Sequence, residues 1–181
     1  QRNSPCRASQ LTPLDGRHPL PHFDTWPPRL APRTLNNSPV HHSDMIATAA
    51  AAAGATLPTV RVMDVIDLLP FATGENTGPT HEALFWRSGA SQSALVNGWK
   101  LNVSDPPGRN WLFHLSEDPA EQNDLSAQRP DMLAELQEAL AKHNAEQAPP
   151  AWPSKIAMPV NIDKDLSQPD APDDLDIYWS N

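Results

Sequence analysis

Few residues in this chain have the chemistry to act on a substrate, and they are scattered. Cys6 is the one cysteine and therefore the one thiol nucleophile. A single cysteine excludes an internal disulfide and says nothing about redox compartment. Seven histidines are present. His41 and His42 beside Asp44 form the densest group of metal-ligand types, but adjacent side chains at a helix start diverge rather than converge. No metal site is expected there. His81-Glu82 and Lys100 are the remaining polar residues set among apolar runs, where solvated positions at strand edges would account for them.

Charge narrows the function classes. Thirteen basic against 22 acidic residues leave a net charge of -9, with no Lys/Arg cluster, so the electrostatic footprint for nucleic acid is missing. Asp163, Asp165, Asp170, Asp173, Asp174 and Asp176 crowd the C-terminal end and read as a solvated tail. The longest apolar stretch, Met45–Ala55, is rich in alanine and too short to span a bilayer. No apolar secretion-signal core follows Arg2, and the chain begins without Met, as it would if an upstream segment were cut off, so no cellular address is readable. Proline outnumbers glycine 21 to 7, clustering at both ends, while aromatics make up 6%. This composition predicts a modest core over roughly residues 40–146 between proline-rich arms.

The elements that must position these side chains are legible in part. Residues 1–38 lack a sustained period and are expected to be irregular, with Phe23–Leu30 able to pair as an edge strand. Ser43 or Asp44 is an N-cap for a helix to about Ala53, stopped by Gly54. Val60–Asp64 is short and β-branched, Asp67-Leu68-Leu69-Pro70 predicts a tight buried turn, and residues 75–79 an exposed loop. Ala83–Arg87, Trp99–Val103 and Trp111–Leu115 are apolar-aromatic runs bounded by turn residues, the punctuation of a small antiparallel sheet. Asn97-Gly98 predicts a type I′ hairpin, since both residues tolerate positive φ. Pro106-Pro107-Gly108 turns the chain again. Asp118-Pro119-Ala120-Glu121 carries N-cap, N1 and N3 residues and predicts a compact helical start. Pro130 opens an amphipathic helix with Leu133, Leu136, Leu140 and His143 on one face and Glu135, Gln137, Glu138 and Lys142 on the other. Trp86, Trp99 and Trp111 are expected in the core. Residues 152–181 predict an extended strap anchored by Trp152 and Ile177-Tyr178-Trp179.

Read in order, several short pieces share one wording. They are Trp26-Pro27-x-Arg29-Leu30, Pro39-Val40-x-His42-x-Asp44 with Thr48, and Asp64-x-x-Asp67-Leu68-Leu69-Pro70. Gly74-Glu75, His81-Glu82, Phe85-Trp86-Arg87, Trp99-Lys100-Leu101, Leu112-Phe113-x-Leu115 and Asp118-Pro119-x-Glu121 continue the series. This order resembles the C-terminal subdomain of the sulfatases over about residues 21–150. The resemblance implies an α+β fold, a small antiparallel sheet packed against a C-terminal amphipathic helix. It divides the chain into an arm at 1–38, a subdomain at 39–148 and an acidic tail at 149–181.

The same resemblance implies sulfuric ester hydrolysis in an intact relative, with formylglycine made from cysteine as nucleophile and calcium drawing charge off the sulfate. Cys6-Arg7-Ala8-Ser9-Gln10, followed by Leu14-x-Gly16-Arg17, keeps the register of the formylglycine motif. Gln10 replaces its arginine, and Pro13 falls where the family runs a helix. Cys6 is thus the catalytic candidate, and His81 and Lys100 are the substrate-binding candidates at a pocket rim. Pro28 and Val65 stand where the family has glycine, which a positive φ would strain. Most calcium-binding and catalytic residues of the family have no counterpart here. The chain is therefore expected to carry no cofactor and to be inactive alone, calcium and a sulfate ester belonging to an intact relative. The alternative is a non-catalytic module that docks a partner, or a second copy, through its sheet face and acidic tail.

Overall fold

The computed structural model describes residues 22–60, 62–89, 91–105, 108–149 and 151, together with the backbone of 157–161 and 176–180. Cys6, Gln10, Pro13, Trp152 and most of the acidic tail lie outside these residues. The chain folds as two compact units, one spanning His22–Glu82 and one containing everything described from Ala83 onward.

In the His22–Glu82 unit the predicted edge strand does not form. The N–H groups of Arg29 and Leu30 both donate to the Trp26 carbonyl, at 2.9 and 2.8 Å, and the Arg29 guanidinium sits 5.1 Å above the Trp26 ring. Two prolines in succession favour this turn over a ladder. Helix α1 runs Asp44–Ala52, with Ser43 at the N-cap and Gly54 at φ 67°, as its sequence signals require. Asp67–Pro70 leads into a short helix, α2 (Leu69–Thr73), rather than a bare turn. The Asp67 carboxylate accepts the Leu69 N–H at 3.0 Å, and Gly74 ends the helix at φ 81°. Leu68 and Leu69 are buried there. Among the described residues positive φ falls on Arg33, Asn97, Glu121 and glycines. Pro28 and Val65 therefore escape the strain that their replacement of glycine suggested.

The second unit is an antiparallel meander of four strands, β1 (Ala83–Ser88), β2 (Ser91–Val96), β3 (Trp99–Ser104) and β4 (Arg109–His114), each beside its sequence neighbour. Asn97 and Gly98, at φ 49° and 81°, make the two-residue turn that pairs Val96 with Trp99. β2 completes the sheet as a fourth strand between the predicted runs. Its Ser-Gln-Ser opening lacks the apolar signal of the others because half of it faces buried polar partners. Ala94, Leu101 and Leu112 stand in register across β2, β3 and β4 and form the floor on which helix α3 (Pro130–Ala145) packs. Leu136 and Leu140 of α3 close this core, with Phe85, Val96, Trp99, Val103, Leu125, Met132 and Leu133 around it. His143 completes the predicted stripe by stacking on Phe85, 4.2 Å between ring centroids. Asn144 donates to the Gln92 side chain at 2.6 Å, fixing the end of α3 to β2. Of the three tryptophans, Trp111 is buried, whereas Trp86 and Trp99 are half-buried.

One predicted element is replaced. Asp118–Glu121 forms a turn, not a helical start: the Asp118 carboxylate accepts the Asn123 N–H at 2.7 Å, and Glu121 adopts φ 53°. Its side chain goes inward instead of capping. Beyond α3, strands β5 (Ala157–Asn161) and β6 (Asp176–Ser180) pair antiparallel as a separate ribbon, so part of the predicted strap is regular structure.

Leu136 is fully buried at the centre of the α3 contact. Leu136→Ala is expected to cost about 2–5 kcal/mol, from lost transfer energy and a residual cavity. Glu138→Ala on the exposed face is expected to stay within about 0.5 kcal/mol of the parent. Urea unfolding of the two variants checks the pair.

Candidate functional site

Two buried carboxylates organise the polar chemistry of the described residues, one in each unit. In the His22–Glu82 unit it is Asp44, the first residue of α1 and fully buried. Its Oδ2 accepts the His41 backbone N–H at 2.8 Å and pairs with His81 Nε2 at 2.8 Å, while Oδ1 accepts the Ile66 N–H at 3.1 Å. One side chain thereby ties the start of α1 to the 62–68 segment and to the residues entering β1. Thr48, one turn on, repeats the device: its hydroxyl donates to the Asp44 carbonyl and accepts the Leu68 N–H. The Thr80 hydroxyl donates to the Pro39 carbonyl nearby. The rings of His41 and His42 meet tilted, 4.1 Å between centroids, and His41 Nδ1 lies 2.7 Å from the Ser43 hydroxyl.

In the second unit the carboxylate is Glu121, also fully buried, paired with Lys100 of β3. Asn102, two residues along the same face, donates to the second Glu121 oxygen at 3.5 Å and accepts the Ser93 hydroxyl at 2.6 Å. Ser93, Lys100, Asn102 and Glu121 thus form a continuous polar seam on the sheet face opposite α3. Burying a charge without a partner is prohibitive, so the seam must stay complete.

These placements locate the residues singled out in the sequence. His81 is held by Asp44 with 12% of its side chain exposed. Lys100 is buried at 3%, not solvated at a strand edge. Cys6 lies outside the described residues. His81 and Lys100 belong to different units. Glu121 is the residue that sequence reasoning misassigned, because its spacing from Asp118 matches a capping box. The signal that identifies its actual role is a lone Lys in the middle of an apolar strand, which demands a counter-ion. A polar cleft of about 220 Å³ lies in the His22–Glu82 unit, lined by Arg29, Asp67, Thr73 and Glu75 among others, and so joins three of the recurring sequence pieces.

Calcium needs several convergent oxygen ligands. Among the described residues no group of three His, Cys, Asp or Glu side chains is arranged to hold a metal, and the two buried carboxylates are occupied by their own partners. The described residues do not fit a calcium site. No helix among them is long and apolar enough to cross a membrane.

No family model matches the chain. Curated proteins do. The steryl-sulfatase of Rattus norvegicus is 32% identical over 124 residues, covering 61% of this chain and 21% of its own length. Over that stretch the chain is similar to a sulfatase. The steryl-sulfatase of Mus musculus agrees, at 27% identity over 172 residues, 76% of this chain and 27% of that protein. A crystal structure of Ps i-CgsB shares the fold, with a TM-score of 0.54 and 24% identity over 64% of this chain and 26% of that one. The chain spans about a quarter of the length of these curated sulfatases.

Lys100→Met, which removes the cation paired with the buried Glu121 carboxylate, is expected to cost about 3–5 kcal/mol. Adding Glu121→Gln removes the buried charge and is expected to recover most of that loss. A double-mutant cycle by urea denaturation measures the coupling.

Proposed function

We propose that this chain forms the C-terminal part of a sulfatase-like hydrolase, whose intact form cleaves sulfuric esters, and that it does not turn over such esters alone. The observation that carries the reading is the 32% identity to a steryl-sulfatase over 124 residues, 61% of this chain. Relatives named for steryl esters, and a fold neighbour held in complex with k-i-k-neocarrahexaose, bracket too wide a range of alcohols to narrow the ester further. Sulfuric ester hydrolysis is the class supported.

Such hydrolysis needs an activated nucleophile, a divalent cation and cationic groups on the sulfate oxygens. Cys6, as a formylglycine precursor, is the proposed nucleophile, and calcium the proposed cation of an intact relative. Neither enters a step derived from the residues here. His81 keeps an exposed edge and is the better placed of the two substrate-binding candidates. Lys100 contacts a substrate only if it leaves Glu121, and serves more simply as the counter-ion that holds the 118–124 loop on the sheet.

An assay of the purified chain with an aryl sulfate and calcium is expected to give no turnover above buffer. Turnover that survives repurification and disappears in Cys6→Ala overturns the proposed inactivity.

A second reading, a non-catalytic interaction module, draws on where the exposed apolar side chains lie. Phe23, Leu35, Val60 and Val62 are each more than four-fifths exposed, and all belong to the His22–Glu82 unit. This moves the proposed docking surface, and any self-association, from the sheet face to that unit. Size-exclusion chromatography with light scattering decides it. A discrete oligomer supports docking between copies, and a monomer at all concentrations counts against it.

A further inference from the structure

The two edges of the four-stranded sheet differ. Along an antiparallel strand successive residues turn their N–H and C=O groups to opposite neighbours. The two-residue turn at Asn97-Gly98 makes Val96 and Trp99 a bonded pair, which sets this alternation for all four strands. Along β4, Leu112 and His114 then face outward, and both are covered. Asp124 accepts the Leu112 N–H at 3.0 Å, and the Leu125 N–H donates to the Leu112 carbonyl at 2.8 Å. The His114 carbonyl receives the N–H groups of Glu117 and Asp118. Along β1 the same alternation turns Ala83, Phe85 and Arg87 outward, since Leu84, Trp86 and Ser88 pair with Leu95, Ser93 and Ser91 of β2. Among the described residues no hydrogen bond reaches the outward backbone groups of these three.

β1 also lacks the devices that guard an open edge. Its sequence, Ala-Leu-Phe-Trp-Arg-Ser, contains no proline or lysine, and its register with β2 runs without a bulge. Its one charged side chain, Arg87, is bonded to the Ala148 carbonyl at 3.2 Å. Such an edge is a template for another strand.

We propose that β1 pairs antiparallel with β1 of a second copy, two-fold symmetric about Phe85, joining two four-stranded sheets edge to edge. The register of the strand itself selects this occupant. Centred on Phe85, the pairing sets Phe85 opposite Phe85, Leu84 opposite Trp86 and Ala83 opposite Arg87. Every outward residue meets an outward residue, so both of its backbone groups are used. Centring on Leu84 or Trp86 instead carries Arg87 or Ala83 past the end of the partner strand. Arg87 faces Ala83 and not a second Arg87, so like charges do not meet across the pair. The helices do not collide. Each α3 packs over β2 and β3. Strands about 4.8 Å apart therefore leave roughly 19 Å between the two helix axes, beyond the 8–10 Å or so of helices in contact. The pairing uses the edge of the sheet and is independent of the docking surface proposed for the His22–Glu82 unit.

Sedimentation equilibrium of the full chain over about 1–300 µM, at about 0.15 M salt to screen the net charge of -9 on each copy, tests this. The parent is expected to show a monomer–dimer equilibrium. Ala83→Pro deletes an outward N–H at the first residue of the strand, where proline leaves the β1–β2 ladder intact. It removes one bond from each copy and is expected to weaken association by about tenfold or more. Val62→Ser, in the His22–Glu82 unit, is expected to leave association unchanged. Cross-linking in a Cys6→Ser background reads the register. Ala83→Cys combined with Arg87→Cys sets thiols of opposite copies on a pair with Cα atoms about 5.5 Å apart and is expected to give a disulfide-linked dimer, whereas Ala83→Cys alone is not. Positions 83 and 87 of one strand are about 13 Å apart and cannot close on themselves. A parent that stays monomeric throughout overturns the proposal, as does a dimer whose paired cysteines fail to cross-link. So does a dimer unchanged by Ala83→Pro; one that Val62→Ser dissolves instead belongs to the His22–Glu82 unit. Should Ala83→Pro not fold, the cysteine pair decides alone.

Discussion

A carboxylate removed from water must be matched group for group, and this requirement shapes both units. Asp44 and Glu121 are fully buried, and each recruits a basic residue distant in sequence, His81 and Lys100. Neither pair is a surface ion pair of marginal worth. Each lies where a missing partner leaves an uncompensated charge, so the cost of disruption far exceeds the benefit of formation. What such pairs supply is uniqueness. With Lys100 on its face of β3, a shift of one residue in register would turn the ammonium toward Leu136 and Leu140 and strand Glu121. Glu121 in turn accepts a left-handed backbone conformation to reach that position, a local strain that the completed pair offsets.

Much of this arrangement was legible wherever the physics is local. The α1 boundaries followed from Ser43 and Gly54, the hairpin from Asn97-Gly98, and the α3 face from leucines at three- and four-residue spacing. The failures share one cause. Glu121 and Lys100 are 21 positions apart, and a spacing rule sees only the nearer partner, Asp118. It therefore assigned Glu121 to a cap and Lys100 to solvent. β2 was underestimated for the same reason, since Ser91, Ser93 and the polar half of the seam look like turn composition until their partners on β3 are known. The site candidates were readable as unusual residues, but their roles depend on contacts that no local window contains.

The resemblance to the sulfatases in the sequence rests on the order of many weak pieces, and the structure shows what several of them do. Asp44 and Thr48 lock α1, Asp67 fixes the start of α2, and Lys100 with Glu121 fastens the loop beneath the sheet. A series of polar residues retained in order along a chain can therefore mark a framework rather than a reaction centre. Relatedness in such pieces reports shared architecture before it reports shared catalysis.

The meander has a consequence for how the chain reaches its fold. Each strand pairs with the strand just before it, so the entropy of loop closure is met in small steps, and the sheet can zip from the Asn97-Gly98 turn outward. The His22–Glu82 unit has no such route. Its ties to Asp44 come from residues 22 and 37 positions away, and the Thr80 bond to Pro39 spans 41. On a ribosome that unit emerges first yet cannot close until its final residues, Thr80 and His81, are made. The later unit, built from neighbours, can order almost as quickly as it is synthesised. Order of synthesis and order of folding are thus set against each other within one short chain.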